Sequence, residues 1–543
     1  MQHLESNLGV NDTRVTDSTL PPPIERLNED IMGLIFLNNA DMFNPLECDD
    51  RGRDLYVDIG PKNDYALDIT LAASQVCQSW RALLLQSPAT WGRVLNLDRL
   101  LTFNKDGQKE ILRRTGTAPL CFVGSMLESE RPAAESVVLI LQKSWTRIQR
   151  LYLHISVDAS QLAESLLDLF FLDAPVMERF SVTFGTDATP KLVSFLTRSV
   201  GVSWLGQLRI FEFTSRYIQT GDILKAIKHM PRLQFLRLGN LGSKHDLHSV
   251  EAESIHLPHL VDVRLTCSLS ASLEVARSIK PAKHCGIMLY PSSDFLDRVT
   301  DEEVSAAVAV IERYAKMFLS SPGTFAMRVS HKWDHEPHFS ICHTEHLVPW
   351  IRNDVHQTFP TFAFRSPPTS RMWTKIDISR YMAPLFKLDM TNVHTFILNM
   401  RPDNILPFVQ SLTEVVQLKI SDNNLTFLND NQVDATKVFF PKLKHLYLNV
   451  TYRASMARQA LQAYFSHRKV ANVRPIEALY LGKDPEGDYT FLNKEDGLKV
   501  TWRTCDNELS EYICGSGDGE LLDFLEMPSD GDNDYDSYGL GSD

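Results

Sequence analysis

Five of the chain's 17 histidines, His331, His335, His338, His343 and His346, fall within one short stretch that also holds Cys342. Imidazole nitrogen and thiolate are zinc ligands, and side chains three or four residues apart can face one metal. The stretch has no second cysteine, and His335-Glu336-Pro337-His338 is not the helical H-E-x-x-H pattern. The expectation is a solvated, irregular loop and no metal site; a metal-dependent activity at 331–346 is the enzymatic alternative. Near the end of the chain, acids starting from Asp532 fall at calcium-loop positions 1, 3, 5 and 12, but Ser537 stands where the sharp turn demands glycine. Gly515-Ser516-Gly517-Asp518-Gly519 lacks the strand–turn–helix setting and the spacing of a phosphate loop. There is no G-x-S-x-G elbow, no Walker loop and no Cys/His pairing with a recognisable local signature. The chain is therefore expected to be no enzyme, to carry no cofactor and to act by binding.

Composition narrows what it could bind. The 543 residues are 43% hydrophobic and 23% charged, ordinary for a folded protein, and the length suits three or four domains or one long repetitive one. The formal charge is −13, yet Asp484 to Asp543 alone holds 17 acids against Lys494, Lys499 and Arg503. The remainder is nearly neutral and shows no basic cluster of the kind nucleic-acid binding requires. No apolar run approaches the roughly 18 residues that cross a bilayer, and Met1–Leu20 lacks the apolar core of a secretion signal. The eight cysteines are scattered, with no C-x-x-C pair, and read as free thiols in a reducing compartment. A cytoplasmic or nuclear protein without nucleic-acid or membrane partners is expected.

The elements that would position binding residues form two blocks. In the first, Ile24, Leu27, Ile31, Leu34 and Ile35 recur at helical steps, with Asn28 as cap and Glu29 and Asp30 in the first turn. Residues 47–64 read as an exposed, Gly/Pro-punctuated insertion. A second helix, capped by Asp68, runs through Ile69, Ala72, Ala73, Val76, Trp80, Leu83 and Leu84 to a stop at Ser87-Pro88. From about residue 145 an apolar triplet recurs: Ile148-x-x-Leu151-x-Leu153, then copies starting at Met177, Leu208, Leu233 and Leu260, and again at Val393, Val415, Leu443 and Ile476. Four copies carry a proline two residues ahead (Pro175, Pro231, Pro258, Pro441), which is expected to preset an extended entry into a strand. The spacings, 29, 31, 25 and 27 and then 22, 28 and 33, bracket the leucine-rich repeat period. Val415 to Leu425 matches that template including Asn423, whose side chain is expected to bond backbone at the turn. Gln161–Phe171, Asp222–His229, Asp301–Leu319 and Ala454–Phe465 have helical spacing, and Phe325–Val329 and Trp373–Ile378 are weak strands.

The first block resembles an F-box of the kind found in fungal proteins. The resemblance is carried by Ile24-Glu25-Arg26-Leu27-Asn28-Glu29-Asp30-Ile31-Met32-Gly33-Leu34-Ile35-Phe36 and by Leu71-Ala72-Ala73-Ser74-Gln75-Val76-Cys77-Gln78-Ser79-Trp80-Arg81, ending in Ser87-Pro88-Ala89-Thr90-Trp91. Asn28 replaces the family's usual proline, and the insertion separates the two halves. An F-box followed by leucine-rich repeats resembles the substrate receptor of an SCF-type cullin-RING ubiquitin ligase. That resemblance implies docking on a Skp-type adaptor and cullin through Leu27, Ile31, Ile35, Phe36, Val76 and Trp80, with Trp80 chiefly in the core. The repeats would hold an unknown protein substrate, with Tyr152, Arg209, Glu212, Arg237, Arg264, Lys419 and Tyr447 as candidate contacts between the motif hydrophobics. The alternative is a repeat scaffold with a degenerate F-box and no ligase role.

The expected fold class is α/β. A disordered stretch 1–19 precedes a small all-α helical unit 20–95 and a connecting helical region 96–144. A curved leucine-rich-repeat-like solenoid then spans 145–483, irregular at 284–392, and an acidic region 484–543 follows, disordered beyond about 527.

Overall fold

The computed structural model describes residues 27–42, 65–127, 131–156, 160–185, 202–215, 218–242, 254–291, 300–331, 337–344, 361–365, 381–400, 405–432, 438–450, 454–483, 485–506 and 508–524. The chain forms two compact units, Met1–Asn44 with Asp58–Gly124 and Pro45–Val57 with Ser125–Asp543. Residues 1–26, the insertion 47–64, Trp373–Ile378 and everything beyond 524 lie outside the described residues.

In the first unit, α1 (Glu29–Asn39) starts at Asn28, whose Oδ1 accepts from the Asp30 backbone N–H at 2.9 Å. The expected second helix is two helices, α2 (Ala66–Ala73) and α3 (Gln78–Leu85). Ser74 turns its hydroxyl back onto the Leu71 carbonyl, and Cys77, fully extended, caps α3 by accepting from the Trp80 N–H. An unbroken apolar period hid this break, because Val76 belongs to the link rather than to a helix. Asp68 lies inside α2 and pairs with Arg99 at 2.8 Å. Pro88 opens α4 (Pro88–Arg93), where its missing N–H costs nothing. Trp91 is fully buried, donates to the Leu84 carbonyl at 2.8 Å and lies under the Arg114 guanidinium. The unit is not all-α: β1 (Leu95–Asn96) pairs in parallel with β2 (Leu120–Leu127) inside the span expected to be a helical connection.

The second unit is mixed α/β, built on a large, mainly parallel sheet. Every copy of the apolar triplet reaches a strand: β3 (Ile148–Ser156), β4 (Arg179–Phe184), β5 (Ile210–Thr214), β6 (Phe235–Gly239) and, after a short β7 (Ile255–Leu257), β8 (Asp262–Thr266). The later copies give β14 (Val393–Asn399), β15 (Gln417–Ser421), β16 (His445–Asn449) and β17 (Ala478–Lys483). The prolines act differently from the expectation. Each is the second residue of a turn closed by an N–H···O bond, Met177 to Ala174, Leu233 to Met230, Leu260 to Leu257 and Leu443 to Phe440. The next N–H, as in Glu178 to Gln149 or Lys444 to Val416, bonds the preceding strand and starts the ladder. Arg468, itself buried, reaches the carbonyls of Phe440 and Leu443 and so fastens one such turn. Next to the template position, Asn424 reaches a neighbouring strand: its Nδ2 donates to the Leu398 carbonyl at 3.1 Å.

Consecutive strands lie side by side, β3 to β4, β5, β6 and β8, and then β10 (Gly286–Leu289) after an outlying β9 (Ile279–Pro281). The region 284–392 continues this sheet, with its strand order reversed. β10 is followed by β13 (Phe362–Arg365), β12 (Pro337–His343) and β11 (Phe325–His331), and β11 pairs with β14. The sheet also outruns residue 483. Beyond β18 (Gly487–Asp488), β19 (Lys499–Arg503) pairs with β17, and β20 (Leu509–Ile513) pairs with β19. One buried row crosses it all: Leu151, Phe180, Phe211, Leu236, Val263, Ile287, Phe362, Ile341, Met327, Phe396, Leu418, Leu446, Leu479, Val500 and Tyr512. The helix Asp301–Leu319 forms as expected, with a full capping box between Thr300 and Glu303. Among the described residues, no helix is long and apolar enough to cross a membrane.

Candidate functional site

Helix α1 is apolar on two faces. Met32, Phe36 and Ala40, one turn apart, are buried, and Phe36 meets Trp80 edge-on at 5.2 Å beside Leu84. The other face is open: Leu27 is 39% exposed, Ile31 47%, Leu34 66% and Ile35 39%, and Val76 in the α2–α3 link is 63% exposed. The structure therefore divides the residues that the F-box resemblance points to. Leu27, Ile31, Ile35 and Val76 stand at the surface, whereas Phe36 is core and Trp80 is partly buried against it. The repeating apolar period read from the sequence marks the exposed face, because a helix with two apolar stripes offers two equally good registers.

On the sheet, the positions alternating with the buried row form a second row: Tyr152, Ser181, Glu212, Arg237, Arg264, Met288, Ala363, Ser340, Arg328, Ile397, Lys419, Tyr447, Tyr480, Thr501 and Glu511. Tyr152, Glu212, Arg237, Arg264, Lys419 and Tyr447 all fall on it. Arg209 does not; it is exposed, one residue before β5.

The early strands of this row carry a buried charge network. Glu212 accepts from Arg179 Nη2 at 3.2 Å and from the Ser181 hydroxyl, and forms an ion pair with Arg237 Nη1 at 3.1 Å. Arg264 Nε meets Asp262 at 2.8 Å. Burial alone would raise the Glu212 carboxyl, but Arg179, Arg237 and Ser181 outweigh it and hold the group down at about 2. Burial pushes Asp262 the other way, upward against the pull of Arg264 and Arg237. Burial also lowers Arg237 to about 10. Arg179, Ser181 and Asp262 were not singled out from the sequence; their signal was a polar residue at the alternating position of successive strands.

In the later strands the row is aromatic and cationic. The Tyr447 and Tyr480 rings stack in parallel, 4.1 Å between centroids and 4° between planes. Lys419 beside them is lowered by burial and then by the Arg328 charge.

The histidine stretch is dispersed by the strand period. His338 stacks on Tyr290 and is buried, while His343, five positions on and so on the opposite face of β12, packs against Phe325 at 4.6 Å. Cys342 lies among Ala326 and Ile397, and burial pushes its thiol well up. Among the described residues no group of three or more His, Cys, Asp or Glu side chains is placed to hold a metal ion, and His335 and His346 lie outside them. A scan against models of known protein families finds no match to this chain, and a search of curated proteins finds none either.

Proposed function

We propose that the protein is the substrate-recognition adaptor of an SCF-type ubiquitin ligase. Its F-box-like first unit would bind a Skp-type adaptor and through it the cullin, and its leucine-rich-repeat-like sheet would bind the target protein. The reading rests on one observation: Leu27, Ile31, Leu34, Ile35 and Val76 stay exposed although Met32, Phe36, Leu84 and Trp80 already make the core. Apolar side chains at helical spacing beyond what a core uses are the means by which a helix is recognised in a hydrophobic groove. The chemistry of ubiquitin transfer would belong to the other ligase subunits. A pulldown from cells with the full-length chain tests this: recovery of both the Skp-type adaptor and the cullin supports it. Recovery of neither would leave a repeat scaffold with a degenerate F-box, the reading that Asn28 in place of proline favours.

A further inference from the structure

The sheet ends at β20, and among the described residues no strand pairs with its outer side. At both ends of the β19–β20 ladder a backbone N–H donates across, Thr504 to the Glu508 carbonyl and Cys514 to that of Leu498. Hydrogen-bonded and open pairs alternate in an antiparallel ladder. Ser510 and Tyr512 therefore bond to β19, while the backbone groups of Leu509, Glu511 and Ile513 point off the edge. Ser516 takes the Ile513 carbonyl; the others have no hydrogen-bond partner among the described residues. Edge strands are usually blunted by a lysine, a proline or a bulge. β20 has none of these: its register is unbroken, and its one charge, Glu511, is paired with Lys499 at 2.5 Å. On either side of that pair, on the same face, Leu509 is 66% and Ile513 50% exposed. The borders are acidic. Residues 504–524 hold six acids and no lysine or arginine. Exposed Asp506 and Glu508 precede the strand, and exposed Asp496 lies against Gly515 just past its end.

We propose that the free edge of β20 takes up an extended segment of a partner protein as an additional strand. That segment carries two aliphatic side chains four residues apart, between ends that bear lysine or arginine. The unpaired backbone groups supply the ladder, Leu509 and Ile513 meet the aliphatic pair, and the acidic borders select the basic ends. A second copy of the chain is the poorer occupant, because an edge-to-edge pair would set Glu511 against Glu511 and one acidic border against the other. The proposal is independent of the ligase reading.

The test uses the full chain and a fluorescein-labelled peptide, Lys-Lys-Val-Thr-Thr-Thr-Val-Lys-Lys, followed by anisotropy. The peptide should bind, and more weakly as salt is raised; its counterpart with glutamates for lysines should bind at least tenfold more weakly. Methylating the backbone nitrogens of both valines and the central threonine should also cost at least tenfold, because those N–H groups make the new ladder. Glu511→Pro removes an N–H that β19 does not use, so the melting curve should stay near the parent's while peptide affinity falls at least tenfold. Glu511→Gln keeps that N–H and loses only an exposed ion pair, so its affinity should stay within about threefold of the parent's. No binding of the lysine peptide at concentrations on the order of millimolar would overturn the proposal. So would equal binding of the glutamate peptide, or parent-like binding by a folded Glu511→Pro variant. Binding indifferent to backbone methylation would overturn it whether or not that variant folds.

Discussion

In the first unit, apolar side chains stand in water; on the sheet of the second, charged side chains are withdrawn from it. Ordinary folding would have hidden Ile31 and Leu34 and left Glu212 and Asp262 outside. Both departures are the informative kind, because a solitary exposed leucine means little but a helix face of them, or a buried charge, has a cause. The causes differ. The sheet hides these charges by pairing them along the ladder, Arg179 and Arg237 on Glu212 and Arg264 on Asp262, so each carboxylate meets a guanidinium within the chain. The α1 face has no such completion among the described residues of its unit. One region pairs its unusual side chains within the chain; the other is the face that the proposed function assigns to a partner.

The contrast can be broken most violently at the buried row. Leu446→Asp puts an unpaired charge where fifteen buried side chains meet in register and should cost more than about 4 kcal/mol, unfolding the second unit. Circular dichroism and thermal melting matching the parent would refute the strand register.

Next in size is the charge network. Glu212→Gln keeps the shape but removes the buried charge that faces Arg179 and Arg237, at a cost of about 3–5 kcal/mol at neutral pH. The pH dependence has a definite sign. The carboxyl of Glu212 is depressed from 4.5 to about 2, so its contribution is complete above 4.5 and disappears as pH falls toward 2. Asp262, raised by burial, acts in the opposite sense: its contribution is complete below 3.8 and is lost as pH rises from there through its raised folded value. Melting temperatures measured from pH 5 down to pH 2 should fall more steeply for the parent than for Glu212→Gln; parallel curves would mean the network is not coupled to folding.

Much of this was legible in the residues, and what was not had physical reasons. The triplets located β3 to β6, β8 and β14 to β17, because period-two burial and a proline turn act within a few residues. Asn28 announced its helix for the same reason. Three things escaped. The break at Ser74–Cys77 is made by side-chain bonds to backbone that leave the apolar period intact. The reversed order of β11, β12 and β13 is a choice of long-range partners. The strands after 483 were hidden by an acidic composition that masked Leu498, Val500 and Tyr512, all buried. For the candidate site, alternation gave the row, but only the pairing shows that Arg179 and Asp262 complete it.

The smallest expected effect lies in the later strands of the sheet. Tyr447→Ala removes a stacked ring and should cost about 1 kcal/mol, lowering the melting temperature slightly. A loss as large as that of Glu212→Gln would mean that Tyr447 belongs to the core and not to a binding surface.

The open face of α1 decides the account. Leu27 and Ile31 are already half covered, so a partner gains about 1–1.5 kcal/mol from burying the rest of each. Calorimetric titration of the full-length protein with a Skp-type adaptor should show a one-to-one complex. The double change Leu27→Ala with Ile31→Ala should weaken it by roughly 30- to 150-fold while the melting curve stays that of the parent. No heat of binding by the unmodified protein at micromolar concentrations, or binding that the double change leaves intact, would contradict it.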